Sequence, residues 1–193
     1  LTLPGLGEVE YSQEMAYMIP DKFKDVMELK VAGQTINVLT IVNGDKITLE
    51  ANGKAIDETE KVKDAMKDVG HVMEVARLVT LKDKAYELST IGEDKVEGKK
   101  VVGVRVSKKG QKDVSVYFDK ETGLIAKVEF RTTDQMTGNE VTEERIPSDY
   151  AKNKDGVPVP KKVLVKRDGK TFLEAEVIET KYFEKLDDSE FKK

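Results

Sequence analysis

A chain of 193 residues, 38% hydrophobic and 36% charged, fits one β-rich domain whose sheet keeps a wet face better than a parallel sheet covered on both sides. Its net charge of −4, with 33 Lys and Arg interspersed among 37 Asp and Glu, leaves no basic stripe to track phosphates and argues against a nucleic-acid partner. No run approaches the roughly 20 apolar residues of a membrane span, and the absence of Cys removes thiol nucleophiles and thiolate metal sites while leaving the redox compartment open.

The chain starts at Leu1 with no apolar signal segment before the first strand, so the expectation is a mature or trimmed protein whose export signal is not present. Val9, Tyr11, Met15, Tyr17 and Ile19 share one parity and Glu8, Glu10, Ser12 and Glu14 the other, which predicts strand one. Pro20-Asp21 ends it. Phe23, Met27, Leu29 and Val31 then alternate with Lys24, Glu28 and Lys30 up to a turn at Ala32-Gly33. Ile36, Val38 and Leu39 to Val42 form the next strand. Asn43-Gly44 and Asn52-Gly53, flanking Ile47 and Leu49, read as tight hairpin turns whose two central residues take positive φ.

From Asp57 to Val79 the period becomes 3.6, with Val62, Ala65, Met66, Val69, Val72, Met73, Ala76 and Val79 on one stripe. Asp57-Glu58-Thr59-Glu60 has the spacing of an N-cap followed by an acidic third position, placing the cap at Asp57. Unbroken, this helix is about 33 Å long. Gly70 is its weak point, costing about 1 kcal/mol relative to Ala.

Beyond Leu81 the hairpins resume. Tyr86 and Leu88 lead to a turn near Glu97-Gly98, then Val101 to Val106 and a turn at Lys109-Gly110. Val114, Val116 and Phe118 pass through Asp119-Lys120-Glu121-Thr122-Gly123 into Leu124, Ala126, Val128 and Phe130. After Thr137-Gly138 come Val141 to Ile146, an irregular loop from Asn153 to Pro160, then Val163 and Val165 before a turn at Asp168-Gly169. The last strand carries Phe172, Leu173, Ala175, Val177 and Ile178, and its shift of apolar parity predicts a bulge or a strong bend. Ten or eleven strands result, enough for a sheet to curl or split. The expected class is therefore mainly β (α+β): a curled antiparallel sheet, or unclosed β-barrel, embracing a helix within a single domain over residues 1–193.

Catalytic constellations are missing from the sequence. His71, the sole histidine, stands inside the helix without the Cys or second His that a zinc site needs, so a structural or surface role is expected. No Gly-x-Ser-x-Gly elbow is present, and Asp45, Asp119 and Glu121 belong to hairpin turns rather than to a calcium loop. No enzyme, metal or cofactor is expected. The helix stripe has two readings. It either fills the core, or it lies as a lid, through Met66, Val69 and Met73, over an apolar cavity faced by Met15, Tyr17, Phe23, Met27, Leu29 and Ile36, where flexible thioethers suit acyl chains of varied shape.

The order of hairpins, helix and hairpins, together with four words, resembles the bacterial outer-membrane lipoprotein-sorting (LolA/LolB-like) family. Ile19-Pro20-Asp21-Lys22-Phe23 is similar to that family's Pro-x-x-Phe connection, and Val42-Asn43-Gly44-Asp45-Lys46 to its following turn. Tyr117 to Leu124 is similar to its later hairpin, and Asp187-Asp188-Ser189-Glu190-Phe191 to its closing segment. The resemblance implies an unclosed barrel around helices whose apolar cavity, in carrier members, shields lipoprotein acyl chains in the periplasm. Ile19 stands where those carriers have a lid-latching Arg. Ile47 and Thr48 stand where an aromatic commonly follows the turn, Trp is absent, and the helix expected before strand one is missing. The expectation is a non-catalytic, periplasmic or envelope protein without stable membrane insertion, which binds a lipid or lipoprotein acyl chain. The alternative is an envelope interaction or scaffold protein with a self-filled core.

Overall fold

The structure, a computed structural model, describes all of residues 1–193 except Pro4, Leu6, Pro20, Glu58, Gln135, Met136 and the side chain of Lys61. The expected break at Pro20 and the Glu58 position of the capping word lie outside the described residues. In chain order the strands are β1 (Thr2–Leu3), β2 (Gly7–Glu8), β3 (Glu10–Met18), β4 (Lys22–Val31), β5 (Gln34–Asn43), β6 (Lys46–Ala51) and β7 (Lys54–Ala55). Helix α1 (Glu60–Ala76) and a 3₁₀ turn (Val79–Lys82) follow. Then come β8 (Tyr86–Val96), β9 (Lys99–Lys108), β10 (Val114–Asp119), β11 (Ile125–Thr133), β12 (Glu140–Ser148), β13 (Ala151–Lys152), β14 (Pro158–Val159), β15 (Lys162–Arg167) and β16 (Lys170–Glu176), and a second 3₁₀ turn at Asp188–Phe191.

All pairings are antiparallel. One sheet has the order β3-β4-β5-β6-β7 and another the order β16-β15-β12-β11-β10-β9-β8, with β1-β2 and β13-β14 as small ribbons; among the described residues none closes on itself. The mainly antiparallel class with one helix is thus as the sequence predicts, its strands shared between two principal sheets. The chain packs as two units, Leu1–Gly70 with Tyr182–Lys193, and His71–Lys181. The division falls inside α1, at Gly70.

Turn chemistry explains the hairpins. Ala32-Gly33, Asn52-Gly53, Glu97-Gly98 and Asp168-Gly169 each take positive φ at both residues, as the tightest two-residue loops require. The Asn43-Gly44 prediction is off by one position. Asn43 pairs with Lys46 in the ladder, and the loop is Gly44-Asp45, because only Gly44 has positive φ, at 61°. That is the arrangement with glycine first.

In the first unit, the second face of the β3–β6 sheet is tied to the 188–191 turn, which lies against β4 and β5. Lys22 Nζ donates to Asp188 at 2.8 Å, Asn43 Nδ2 donates to the Phe191 carbonyl, and Lys193 pairs with Glu50. Phe191, which the sequence shows only as a lone aromatic among charges, is 1% exposed.

In the second unit, Val72 and Val75 of α1 join Tyr86, Val106, Val114, Val116, Val128 and Phe130 in the main core. Burial of this many branched residues, each stabilising by about 1.5–3 kcal/mol, holds the end of the helix to the sheet. The opposite face carries a smaller core of Val96, Val101, Tyr117, Ala126 and Ile146, with Leu164 against it. Val96 and Glu97 belong to the β8–β9 hairpin, yet Glu97 accepts a hydrogen bond from Lys166 of β15 at 2.8 Å. In a flat sheet β8 and β15 are about 24 Å apart, whereas extended Lys and Glu side chains bridge Cα atoms at most roughly 14 Å apart. The hairpin tip therefore curls back over the sheet. Ile91, the extra residue of a bulge between Thr90 and Gly92, marks the bend. The bulge predicted in the last strand is also present: Val165 pairs with Leu173 and Lys166 with Thr171, leaving Phe172 extra.

The helix is shorter than its periodicity predicts. Its cap is Thr59 rather than Asp57, the hydroxyl accepting from the Val62 N–H at 3.3 Å. It ends at Ala76 because Leu78 turns left-handed, with φ 64°, a conformation a Leu adopts only under tertiary constraint. Val79, the last residue of the predicted stripe, is consequently 77% exposed.

Candidate functional site

Directly paired residues of antiparallel strands share a face, so the register of β3–β6 defines one side chain by side chain. Tyr17, Phe23, Val42 and Ile47 form one row, and Met15, Asp25, Thr40 and Leu49 the next. Gln13, Met27, Val38 and Ala51 form the third, followed by Tyr11, Leu29 and Ile36. The other face bears Glu10, Glu14, Lys22, Lys24, Glu28 and Lys30 together with Ala16, Met18, Val26, Leu39 and Ile41. The alternation read from the sequence thus produces an apolar surface four strands wide.

All six predicted cavity residues on the strands lie on this face. Tyr17 and Phe23 are direct partners, with ring centroids 6.4 Å apart and planes tilted by 32°. Leu29 faces Ile36 across the β4–β5 ladder, and Met27 sits between Gln13 and Val38. Met15 is largely exposed on β3, where its sulfur accepts a hydrogen bond from the Tyr17 hydroxyl at 2.8 Å. On α1, Met66, Val69 and Met73 are half-buried; Met66 and Val69 belong to the first unit and Met73 to the second. The deepest helix positions are instead Ala65, Val72 and Val75, and Val75 stands outside the predicted stripe.

Asp25 is what the sequence reading passed over. It is the only formally charged residue among the positions that β3–β6 contribute to the apolar face. Gln13 Nε2 donates to its two carboxylate oxygens at 3.0 and 2.9 Å. Burial raises its pKa above the ordinary carboxylate value, and the Gln13 bond offsets part of that rise. A signal was present: the apolar parity Phe23, Met27, Leu29, Val31 is interrupted at position 25.

The remaining polar constellations are structural. His71 is buried and stacks on Tyr86, ring centroids 6.3 Å apart and planes within 2°. Lys108 Nζ donates to the Tyr86 hydroxyl at 3.1 Å and pairs with Glu74 at 3.4 Å. On the sheet of the second unit, buried Glu143 accepts from Arg145 at 2.9 Å and from Arg167 at 3.0 Å, and Arg167 also donates to Asp134 at 2.7 Å. The two guanidiniums lie 5.1 Å over Phe130 and 3.6 Å over Phe172. Each of these carboxylates is thus joined to one or two cations within its own unit. Among the described residues no group of three His, Asp or Glu side chains is placed to hold a metal, and no helix is long and apolar enough to cross a membrane.

No protein-family model matches the sequence, and no curated protein does. Among solved structures, a domain described as an outer membrane lipoprotein-sorting protein, from Vibrio parahaemolyticus, matches with a TM-score of 0.50 and 12% identity, over 95% of this chain and 80% of that one. A LolA superfamily protein from Nitrosomonas europaea matches with a TM-score of 0.47 and 9% identity, over 96% and 89%. At such identity the likeness to the Vibrio domain is one of architecture: the chain has the LolA-like fold over nearly its whole length.

Proposed function

We propose that this chain is a non-catalytic protein of the bacterial cell envelope that binds an apolar ligand, the acyl chain of a lipid or lipoprotein, on the apolar face of β3–β6. The observation that carries the reading is that face: four strands contribute Tyr, Phe, Met, Leu, Ile and Val with a single charge among them, while the reverse face mixes Lys and Glu with Ala16, Val26, Leu39 and Ile41 and is bound to the 188–191 turn. Met15, Tyr17, Phe23, Met27, Leu29 and Ile36 supply the sheet contacts, and Met66 and Val69, of the same unit, the helix contacts. The outer membrane lipoprotein-sorting description of the Vibrio domain supports the ligand class and the cell-envelope setting.

Burial of hydrocarbon contributes about 0.8 kcal/mol per methylene, so affinity in a series of straight-chain alcohols should rise about fourfold per added carbon until the face is filled. The test is displacement of an apolar fluorophore from the purified protein, backed by native mass spectrometry. Met27→Asp should weaken uptake about tenfold or more while the fold is retained by circular dichroism. A protein that takes up neither fluorophore nor alcohol would instead be an envelope scaffold with a self-filled core.

A further inference from the structure

Asp25 is the one charge that β3–β6 place on this face; it is flanked in its row by Met15 and the buried Thr40, with Phe23 and Met27 before and after it on the same side of β4, while Lys54 of β7 stands at the far edge of the next row. Lys24 and the other cations of β4 project to the opposite face, and no Lys, Arg or His pairs with Asp25 among the described residues. Its one side-chain partner is the neutral Gln13 amide, which brings a single nitrogen to two oxygens and leaves acceptor lone pairs unused. A half-buried carboxylate without a cation is unfavourable unless something supplies the charge. An Asn or Thr would satisfy Gln13 equally well.

We propose that Asp25, with Gln13, is a headgroup site that selects amphiphiles whose apolar chain ends in a primary ammonium group. The hydrocarbon lies along Phe23, Met27, Val38 and Leu29, and the ammonium donates to the Asp25 oxygens that Gln13 leaves open. This rests on the apolar-ligand reading above and names the ligand's polar end. Burial, which raises the Asp25 pKa, also strengthens its attraction for a cation brought beside it.

The test uses the full chain and three twelve-carbon ligands below their micelle concentrations: dodecylammonium, dodecanol and dodecanoate, each displacing the same neutral fluorophore. Dodecylammonium should bind at least about tenfold more tightly than dodecanol, and dodecanoate more weakly than either. Asp25→Asn, nearly isosteric, should bring the three within about threefold. Gln13→Lys, which places a cation beside an intact Asp25, should also erase the ammonium preference, and it guards against a folding defect peculiar to the Asn variant. Equal binding of dodecylammonium and dodecanol, or a preference that survives Asp25→Asn, overturns the headgroup site while leaving apolar binding intact. Failure of dodecanol and dodecylammonium alike overturns both readings.

Discussion

Replacing Gly103 by Ala tests how the sheet of the second unit achieves its curl. A Cβ at position 103 meets Tyr117 Cε1 at 2.9 Å and Cδ1 at 3.1 Å, and the Ile91 Cβ at 3.0 Å. Comfortable carbon contacts begin near about 3.5 Å, so the ring must retreat by roughly 0.6 Å. It has little room to do so: Tyr117 is buried among Val96, Val101, Ala126 and Ile146, with Lys127 Nζ 4.4 Å from the ring centroid. Overpacking of this kind costs about 1–3 kcal/mol, and the loss of glycine's unfolded-state freedom returns about 0.5–1 kcal/mol. The net expectation is a loss of about 1–2 kcal/mol, read as a lower urea midpoint with an unchanged slope. In a Tyr117→Ala background the same substitution should cost less, the residual cost coming from the Ile91 Cβ at 3.0 Å, which is fixed to the backbone of the bulge. The reasoning fails if Gly103→Ala lies within about 0.5 kcal/mol of the parent, or if its cost is the same without the tyrosine ring.

The Asp25→Asn variant should also reveal a pH dependence. Because burial raises the folded pKa of Asp25 above the ordinary 3.8, the native state holds its proton longer than the unfolded chain, and the parent protein loses stability relative to the variant as pH rises from 3.8 through the folded pKa. The difference between the two urea-derived stabilities should be flat below 3.8 and shift in favour of Asn above it; a difference that stays flat or runs the other way would remove burial as the cause. Glu143→Gln should cost about 2–4 kcal/mol in the same assay, since it strips the shared carboxylate from Arg145 and Arg167, while the Asp134 contact keeps part of the Arg167 pairing. A loss below about 0.5 kcal/mol would show that the network contributes little to stability.

What the sequence made legible follows from which signals are periodic. The 3.6-residue stripe located α1, but its ends depend on single residues: Thr59 offers a hydroxyl at the right place, and Leu78 is forced left-handed by a context that no propensity announces. Val75 escaped the stripe because the latter half of the helix is buried more broadly, His71 and Val72 sharing its depth. Strand parity placed Met15, Tyr17, Phe23, Met27, Leu29 and Ile36 on one face, since period two allows no other outcome once β3, β4 and β5 pair as they do. The interruption at Asp25 was equally visible but reads as a flaw until the register shows that it has the face to itself. The curl of the β8–β9 hairpin, by contrast, depends on one bulged residue and a pairing between Glu97 and Lys166, which are 69 positions apart, and local pattern carries no trace of it.

The first unit is discontinuous: its sheet is complete by Ala55, but the residues that bind its Lys22 face, Asp188, Phe191 and Lys193, follow the whole of His71–Lys181. On a ribosome the β3–β6 sheet emerges early and waits for the entire second unit before the 188–191 turn can dock. The order of synthesis therefore sets an order of folding in which the second unit can finish first. During that interval the face bearing Lys22, Asn43 and Glu50 lacks the partners that the end of the chain supplies.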